Sequence, residues 1–573
     1  MIERVLARTR SDAFKRYVTD LLLELCAIDT TPRSDVSEMR RAEGAVFDVL
    51  ERELGRLAFP GARIERRPIA PSIRHHPHYS LLHLTRTPDR PEGLAAEEAY
   101  ADRSNLIYCV PGSAATAPGL GTALNAHIDV IAPYLPPRFE GGAVHGRGAC
   151  DDKGGVVAIL AALRALSDER AASEGRLAGN VVGMFAIDEE PGGNGSLSLA
   201  VDRELKALYD HVIVVECTSN RIHPANRGAV WYQAHLRLAG GSCFEMFAFV
   251  NEEMEKEGRA IKAESRHPLF PQRPVQTCHG IIGHVGEHPS RICGEVSFVI
   301  RFERPPTAEA EALARDCLEF ALSEYVGRYG DKTRAVDAIT GRPKVARHYD
   351  LRGEGVALIC DVHGSTGHMG SIDENDGAIT KMATMARALV ASKRMLEELA
   401  DGPVTLELVG RREDGRLTLE GGQGFVPTHS MDEVTGRMRA AAERGAEAYL
   451  RRSGRSESGA EAVRMTYDKL HNAAFDGDPD SPAMRRAIAA AQRCGLWRGE
   501  PITGWTVSCD ARLFATEYPG MPVLTVGPGH VGVAHSDQEQ LSIDELVQAT
   551  EFLAAYLLLG PVPGSATTGP RVA

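Results

Sequence analysis

The chain has 573 residues and a mass of 61.9 kDa, several times what one compact core needs, so two or three domains are expected. Hydrophobic residues make up 43% and charged residues 25%, and no stretch approaches the roughly 18 consecutive apolar residues of a spanning helix, which argues against a membrane protein and against wholesale disorder. With 65 basic against 78 acidic side chains the net charge is −13, the wrong sign for nucleic acid or anionic lipid, and this leaves small molecules or peptides as partners.

The first eight residues, Met1 to Arg8, carry charges where a secretory signal would be apolar, so a cytoplasmic location is expected. The eleven cysteines agree with it: they include no CxxC pair and run scattered from Cys26 to Cys509, as reduced thiols do. Over the first 230 residues, apolar strand-like runs at 120–125, 180–186 and 211–215 alternate with helical patterns at 154–166 and 197–209. Such βαβα alternation predicts an α/β fold with a mostly parallel sheet covered by helices. The same pattern returns late, with a helix at 483–494, a strand at 522–526 and a helix at 543–558. Residues 561–573 are rich in Gly, Pro, Ser and Thr and read as a flexible tail.

The middle, 231–465, reads as a separate α+β domain inserted between the two parts, 1–230 and 466–560, of the first. It contains an apparent duplication. The first copy, about 231–325, has a strand at 231–238, a helix at 244–261, strands at 276–282 and 295–302, and a helix opening Pro306-Thr307. The second, about 356–452, has a strand to 362, a helix at 374–393, strands at 404–409 and 416–419, and a helix after Pro427-Thr428.

Chemistry concentrates where strands end, the place an open α/β sheet puts its ligands. His127 stands two residues before Asp129, and on an extended segment both side chains point the same way, so the carboxylate can hold the imidazole in a metal-binding tautomer. Asp151-Asp152 opens a helix, where acids serve as N-caps or as ligands able to bridge two cations. Asp188-Glu189-Glu190 and Glu216 emerge directly from apolar strands, a placement that is costly unless cations compensate it. A late histidine lies in Gly527-Pro528-Gly529-His530-Val531-Gly532-Val533-Ala534-His535. Two histidines and three carboxylates suffice for two divalent ions sharing a carboxylate, and mixed N/O donors suit zinc first, with cobalt or manganese as alternatives.

The order and wording of these motifs resemble the dinuclear zinc M20 peptidases and amidohydrolases, which include dipeptidases, carboxypeptidases, aminoacylases and succinyl-diaminopimelate desuccinylase. The resemblance runs over nearly the whole chain. It implies that Asp151 bridges two metals, that His127 and Glu216 complete one site, that Glu190 and His535 complete the other, and that Glu189 is the general base. Asp129 would orient His127, and Asp152 would cap the helix or support the site. The reaction implied is hydrolysis of an amide bond in a small peptide or N-acyl amino acid.

By the same resemblance the middle domain is a lid, here enlarged in the manner of the dipeptidase V type. The lid histidine that stabilises the transition state corresponds to His368 in Asp361-Val362-His363-Gly364-Ser365-Thr366-Gly367-His368, an oxyanion-hole role. Arg301, in Val299-Ile300-Arg301, resembles a strand-borne arginine that would take a substrate carboxylate. The doubled lid favours a monomer over a homodimer. Two rivals remain: a serine hydrolase using Ser365, since His363-Gly364-Ser365-Thr366-Gly367 differs by one residue from a nucleophile elbow, and a non-catalytic metal-binding protein on the same fold.

Overall fold

In the computed structural model the described residues are 1–560 apart from 88, 114–119, 171–176, 337–340, 372–375, 411–414 and 468–470. The expected helix start at Glu374 and the tail 561–573 lie outside them. The chain forms two compact units. One comprises Met1–Gly228, His267–Gln272 and Lys469–Ala573; the other comprises Ala229–Arg266 and Arg273–Asp468.

The first unit is built on a six-stranded sheet in the order Arg63–Pro68, Ser104–Val110, Asn180–Ala186, Gly121–His127, His211–Val214, Val523–Thr525. Gly121–His127 lies parallel to both its neighbours, and Val523–Thr525 is parallel to His211–Val214. Ser104–Val110 alone runs against the rest. All seven residues of Gly121–His127 are buried, the polar Thr122, Asn125 and His127 included, because a strand inside such a sheet is covered on both faces. Helices Asp12–Cys26, Lys153–Arg170, Pro482–Cys494 and Ile543–Leu559 pack together in this unit. Buried Lys153 fastens the end of the first of these, its Nζ donating to the carbonyls of Leu25 at 3.1 Å and Ile28 at 2.7 Å. The single helix expected over 197–209 is two, Asn194–Ala200 and Arg203–Lys206. The Asp202 side chain caps the second, accepting from the N–H groups of Glu204 and Leu205, and this local bond competes with helix continuation.

The second unit is four consecutive strand–helix–strand segments: β1 (Gly228–Arg237), α1 (Cys243–Glu264), β2 (Thr277–Ile282); β3 (Glu295–Phe302), α2 (Ala308–Tyr329), β4 (Tyr349–Glu354); β5 (Ala357–His363), α3 (Ala378–Ala391), β6 (Val404–Leu408); and β7 (Arg416–Phe425), α4 (Met431–Arg452), β8 (Val463–Thr466). They form two sheets, ordered β2-β7-β1-β8 and β4-β5-β3-β6. The middle two segments make one βαββαβ module, β3 to β6. The outer two make another, with the first inserted between its second and third strands. Counted within its own module, each sheet has the strand order 2-3-1-4. The duplication is therefore nested, which corrects the tandem boundaries 231–325 and 356–452. Four βαβ segments in a row read the same whether grouped first with second or first with fourth, and only strand pairing distinguishes the two. Of the shared Pro-Thr helix start, Thr307 does cap α2, accepting from the Ala310 N–H, whereas α4 is capped by Ser430, two residues after Thr428.

Candidate metal centre

Four parallel strands of the first unit end on the same edge of the sheet, and each delivers an acid or an imidazole there. His127 is the last residue of its strand; Asp188, Glu189 and Glu190 follow Asn180–Ala186; Glu216 follows His211–Val214; and the loop after Val523–Thr525 carries His535. Asp151 comes from the turn that opens helix Lys153–Arg170; its peptide bond to Asp152 is cis.

Asp151 stands at the middle of this constellation. Its Oδ1 lies 3.1 Å from His127 Nε2, and its Oδ2 lies 3.2 Å from His535 Nε2. Glu216 Oε1 approaches His127 Nε2 at 3.9 Å, and Glu190 Oε1 lies 3.0 Å from His535 Nε2. Two groups of donor atoms result, His127–Asp151–Glu216 and Asp151–Glu190–His535, each gathered within 4.8 Å and sharing Asp151. Glu189 belongs to neither, though it adjoins Glu190 in the chain. Of the two late histidines, His530 is exposed and accepts the Gly532 N–H at Nδ1, whereas His535 is 2% exposed.

The expected link between the Asp129 carboxylate and His127 is made by another atom of the same residue. His127 Nδ1 lies 2.9 Å from the Asp129 peptide oxygen and 3.6 Å from its carboxylate. The carboxylate instead accepts the backbone N–H groups of Glu189 at 3.1 Å and Glu190 at 3.0 Å. Asp152 accepts the His127 N–H at 3.3 Å, which ties the loop bearing Asp151 to the strand bearing His127.

Electrostatics show what such a cluster lacks. Burial, with Asp151 adding to it, holds the Glu216 carboxyl well above the usual carboxylate range. Burial and the nearby Asp510 do the same to Glu189. Burial opposes ionisation of Asp151 too, but the two imidazoles override it and hold that carboxyl well below its ordinary value. His535 is pushed up to about 10, because Glu190 and Asp151 outweigh the burial that opposes its charge. Buried acids in excess of buried bases are neutralised by binding protons or cations. Imidazole nitrogen with carboxylate oxygen is the donor set of zinc and its neighbours, so the residues present fit a pair of divalent ions.

Several supporting residues gave no signal in the sequence. Arg103, 1% exposed, pairs with Glu43 at 2.5 Å and Asp188 at 2.6 Å and so braces the residue before Glu189. Asp510 and Arg512 border the Gly192–Gly193 turn that follows Glu190. Arg512 donates to the Gly192 carbonyl at 3.0 Å, and a Cβ on Gly193, whose φ is +80°, would lie 2.5 Å from Asp510 Oδ1.

His368 and Arg301 belong to the second unit. His368 is buried in the loop after β5, where its Nδ1 accepts the Gly370 N–H at 2.8 Å. Arg301 lies on β3 with its side chain 48% exposed, 3.6 Å from Glu407 on the neighbouring β6, so a carboxylate of the protein itself engages it. The geometry does not favour Ser365 as a nucleophile. A nucleophile elbow needs a helix directly after the serine, and α3 begins at Ala378. The nearest histidine in the motif, His363, is held between Glu295 at 2.7 Å and Asp350 at 3.0 Å.

Two imidazoles at the sheet edge with a carboxylate shared between them, supplied by the turn before helix Lys153–Arg170, form the donor arrangement of a dinuclear metallohydrolase. Residues 123–559 match the model of peptidase family M20/M25/M40, and the chain belongs to that family. It is 35% identical over 105 residues to a peptidase M20 domain-containing protein of Schizosaccharomyces pombe, a match covering 18% of this chain and 25% of that one. It is 36% identical over 107 residues to a succinyl-diaminopimelate desuccinylase of a Methylobacterium strain, covering 17% and 26%. The chain thus spans about a quarter of the length of these two curated relatives. Human carnosine dipeptidase 1 shares the fold with a TM-score of 0.55 at 14% identity, over 97% of this chain and 99% of that one. Among the described residues no helix is long and apolar enough to cross a membrane.

Proposed function

We propose that this chain hydrolyses an amide bond in a small peptide or N-acyl amino acid, with two divalent cations, zinc first, held by His127, Asp151, Glu190, Glu216 and His535. The observation that carries this reading is the position of Asp151, each of whose carboxylate oxygens faces a different histidine. When bound, such cations would polarise the amide carbonyl and acidify a water molecule. Glu189, next to Glu190 in the chain and outside either donor group, is assigned to take that water's proton and to return it to the leaving amine. An acid with no ligand contact has no purpose in a purely structural metal site, which favours catalysis over metal storage. His368 is assigned, on the family likeness, to donate to the oxyanion. Arg301, already engaged by Glu407, is not assigned the substrate carboxylate.

The test is metal analysis joined to a substrate screen. Purified protein should hold two divalent ions per chain, lose activity on exhaustive chelation and regain it with zinc, cobalt or manganese. It should also cleave members of a panel of dipeptides and N-acyl amino acids. Activity that survives chelation, or full activity with one ion, rejects the reading.

A further inference from the structure

The side chain of Glu539 takes no part in either donor group, yet it is the most heavily bonded acid near them. It is 1% exposed. Its Oε1 accepts three backbone N–H groups, from Gly148 at 2.9 Å, Cys150 at 3.1 Å and Asp151 at 3.1 Å. Its Oε2 takes the Arg147 guanidinium, and its peptide oxygen accepts the Gly146 N–H at 3.0 Å. Arg147 is itself fixed, donating from Nε to the Pro133 carbonyl at 3.2 Å. Every bond of Glu539 thus ends on residues 146–151, the segment that presents Asp151. Just beyond it, Gln540–Ser542 pairs with Ala143–His145 as a short antiparallel ladder.

Glu539 also stands four residues after His535, a donor of one metal group, while the segment it grips ends in the acid shared by both. Asp151 faces two imidazoles at once, so its carboxylate tolerates little displacement. A carboxylate that accepts three N–H groups and an arginine fixes the local backbone more firmly than loop packing does, because charge-assisted bonds in a buried setting are the strong ones. From this geometry we propose that Glu539, secured by Arg147, is the positioning residue that fixes Asp151 against His535 and thereby sets the affinity of both metal positions. The inference rests on the dinuclear reading above and adds to it the residue that couples its two halves.

Metal titration of the metal-free protein tests this. Wild type, Glu539→Gln and Arg147→Met are titrated with Zn2+ by calorimetry and with Co2+ by its visible absorption, and each apo protein is checked for folding by circular dichroism and its melting temperature. Glu539→Gln keeps an oxygen acceptor for the N–H groups but loses the charge, and the folded variant should bind metal about 10- to 100-fold more weakly, with an altered Co2+ spectrum. Arg147→Met leaves the carboxylate without its partner and should shift affinity in the same direction. A merely structural role would lower the apo melting temperature while leaving the affinity of the folded protein unchanged, and that result overturns the proposal. Should Glu539→Gln fail to fold, unchanged affinity in folded Arg147→Met overturns it equally. Wild type binding fewer than two ions would instead reject the dinuclear reading, so the two failures are separable.

Discussion

The Asp129 carboxylate holds the backbone of Glu190, accepting its N–H at 3.0 Å while the other oxygen accepts that of Glu189 at 3.1 Å. One side chain therefore fixes the peptide carrying both the proposed base and a proposed ligand. Asparagine in its place offers one acceptor oxygen and turns an NH2 group toward the other N–H, a donor facing a donor. Leaving one of these buried bonds unmade costs about 1–3 kcal/mol. Asp129→Asn should bind metal more weakly and turn over more slowly by about 10-fold or more, a factor equivalent to about 1.4 kcal/mol. Metal titration and steady-state kinetics check it, and a variant matching wild type in both would show the two bonds to be dispensable.

Adjacent acids in different roles should separate under mutation. Glu190 Oε1 meets His535 Nε2 at 3.0 Å within a donor group, whereas Glu189 lies outside both groups. Glu189→Ala should keep two ions and lose turnover by about 10²- to 10⁴-fold, the usual worth of a placed proton-transfer group. Glu190→Ala should lose metal as well as turnover. Metal content after dialysis, set beside kcat for each variant, decides it; near-normal turnover in Glu189→Ala removes the proposed base.

The loop carrying His368 depends on a buried ion pair in the second unit. Lys381 Nζ, with no exposed side-chain surface, lies 2.5 Å from Asp376 Oδ2 and donates to the His363 carbonyl at 2.6 Å. Asp376 also takes the Tyr325 hydroxyl at 2.6 Å, and its peptide oxygen accepts the Ser365 N–H at 2.9 Å. Lys381→Met leaves a buried carboxylate without its cation, a loss of about 3–5 kcal/mol when one partner of such a pair is removed. Denaturant unfolding followed through this unit should show that loss. Metal binding at the proposed centre, whose residues His127, Asp151, Glu190, Glu216 and His535 belong to the first unit, should persist in the folded fraction.

The residues proposed as metal donors were legible in the sequence, whereas the residues bonded to them or to the segments beside them were hidden. His127, Asp151, Glu190, Glu216 and His535 stand beside apolar strands or glycine-rich turns, so local pattern exposes them. Glu539 and Arg103 act on partners hundreds or tens of residues away, Glu539 on Asp151 and Arg103 on Glu43 and Asp188, and nothing in their immediate neighbours marks them as buried. The nested modules were hidden for a related reason. Strand and helix periodicity is local and gave six of the eight strands β1 to β8, missing β4 and β8, but the pairing of β1 with β7 rather than β3 is a long-range fact. The Asp129 contact shows a finer limit. The His-x-Asp spacing places two groups on one side of a strand, and it cannot say whether a carboxylate or a peptide oxygen makes the bond.

Two βαββαβ modules in one chain bear on assembly. Where a lid has a single module and its histidine serves a neighbouring subunit, an isologous dimer is required. Here the inner module carries His368, in the turn after β5, in the same chain as the proposed metal donors; the equivalent turn of the outer module, after β7, carries His429, whose Nε2 lies 3.3 Å from Glu264 within the same unit. Self-sufficiency is the expected outcome, with each chain using its own His368. Mixing His368→Ala with Glu189→Ala tests it, because the two are defective in different steps. If residues were shared between subunits, subunit exchange would create one intact site in each mixed particle and restore part of the activity. A self-sufficient chain leaves the mixture as inactive as its components, and light scattering should report the mass of a single chain. Recovered activity together with a dimeric mass would reverse the assignment.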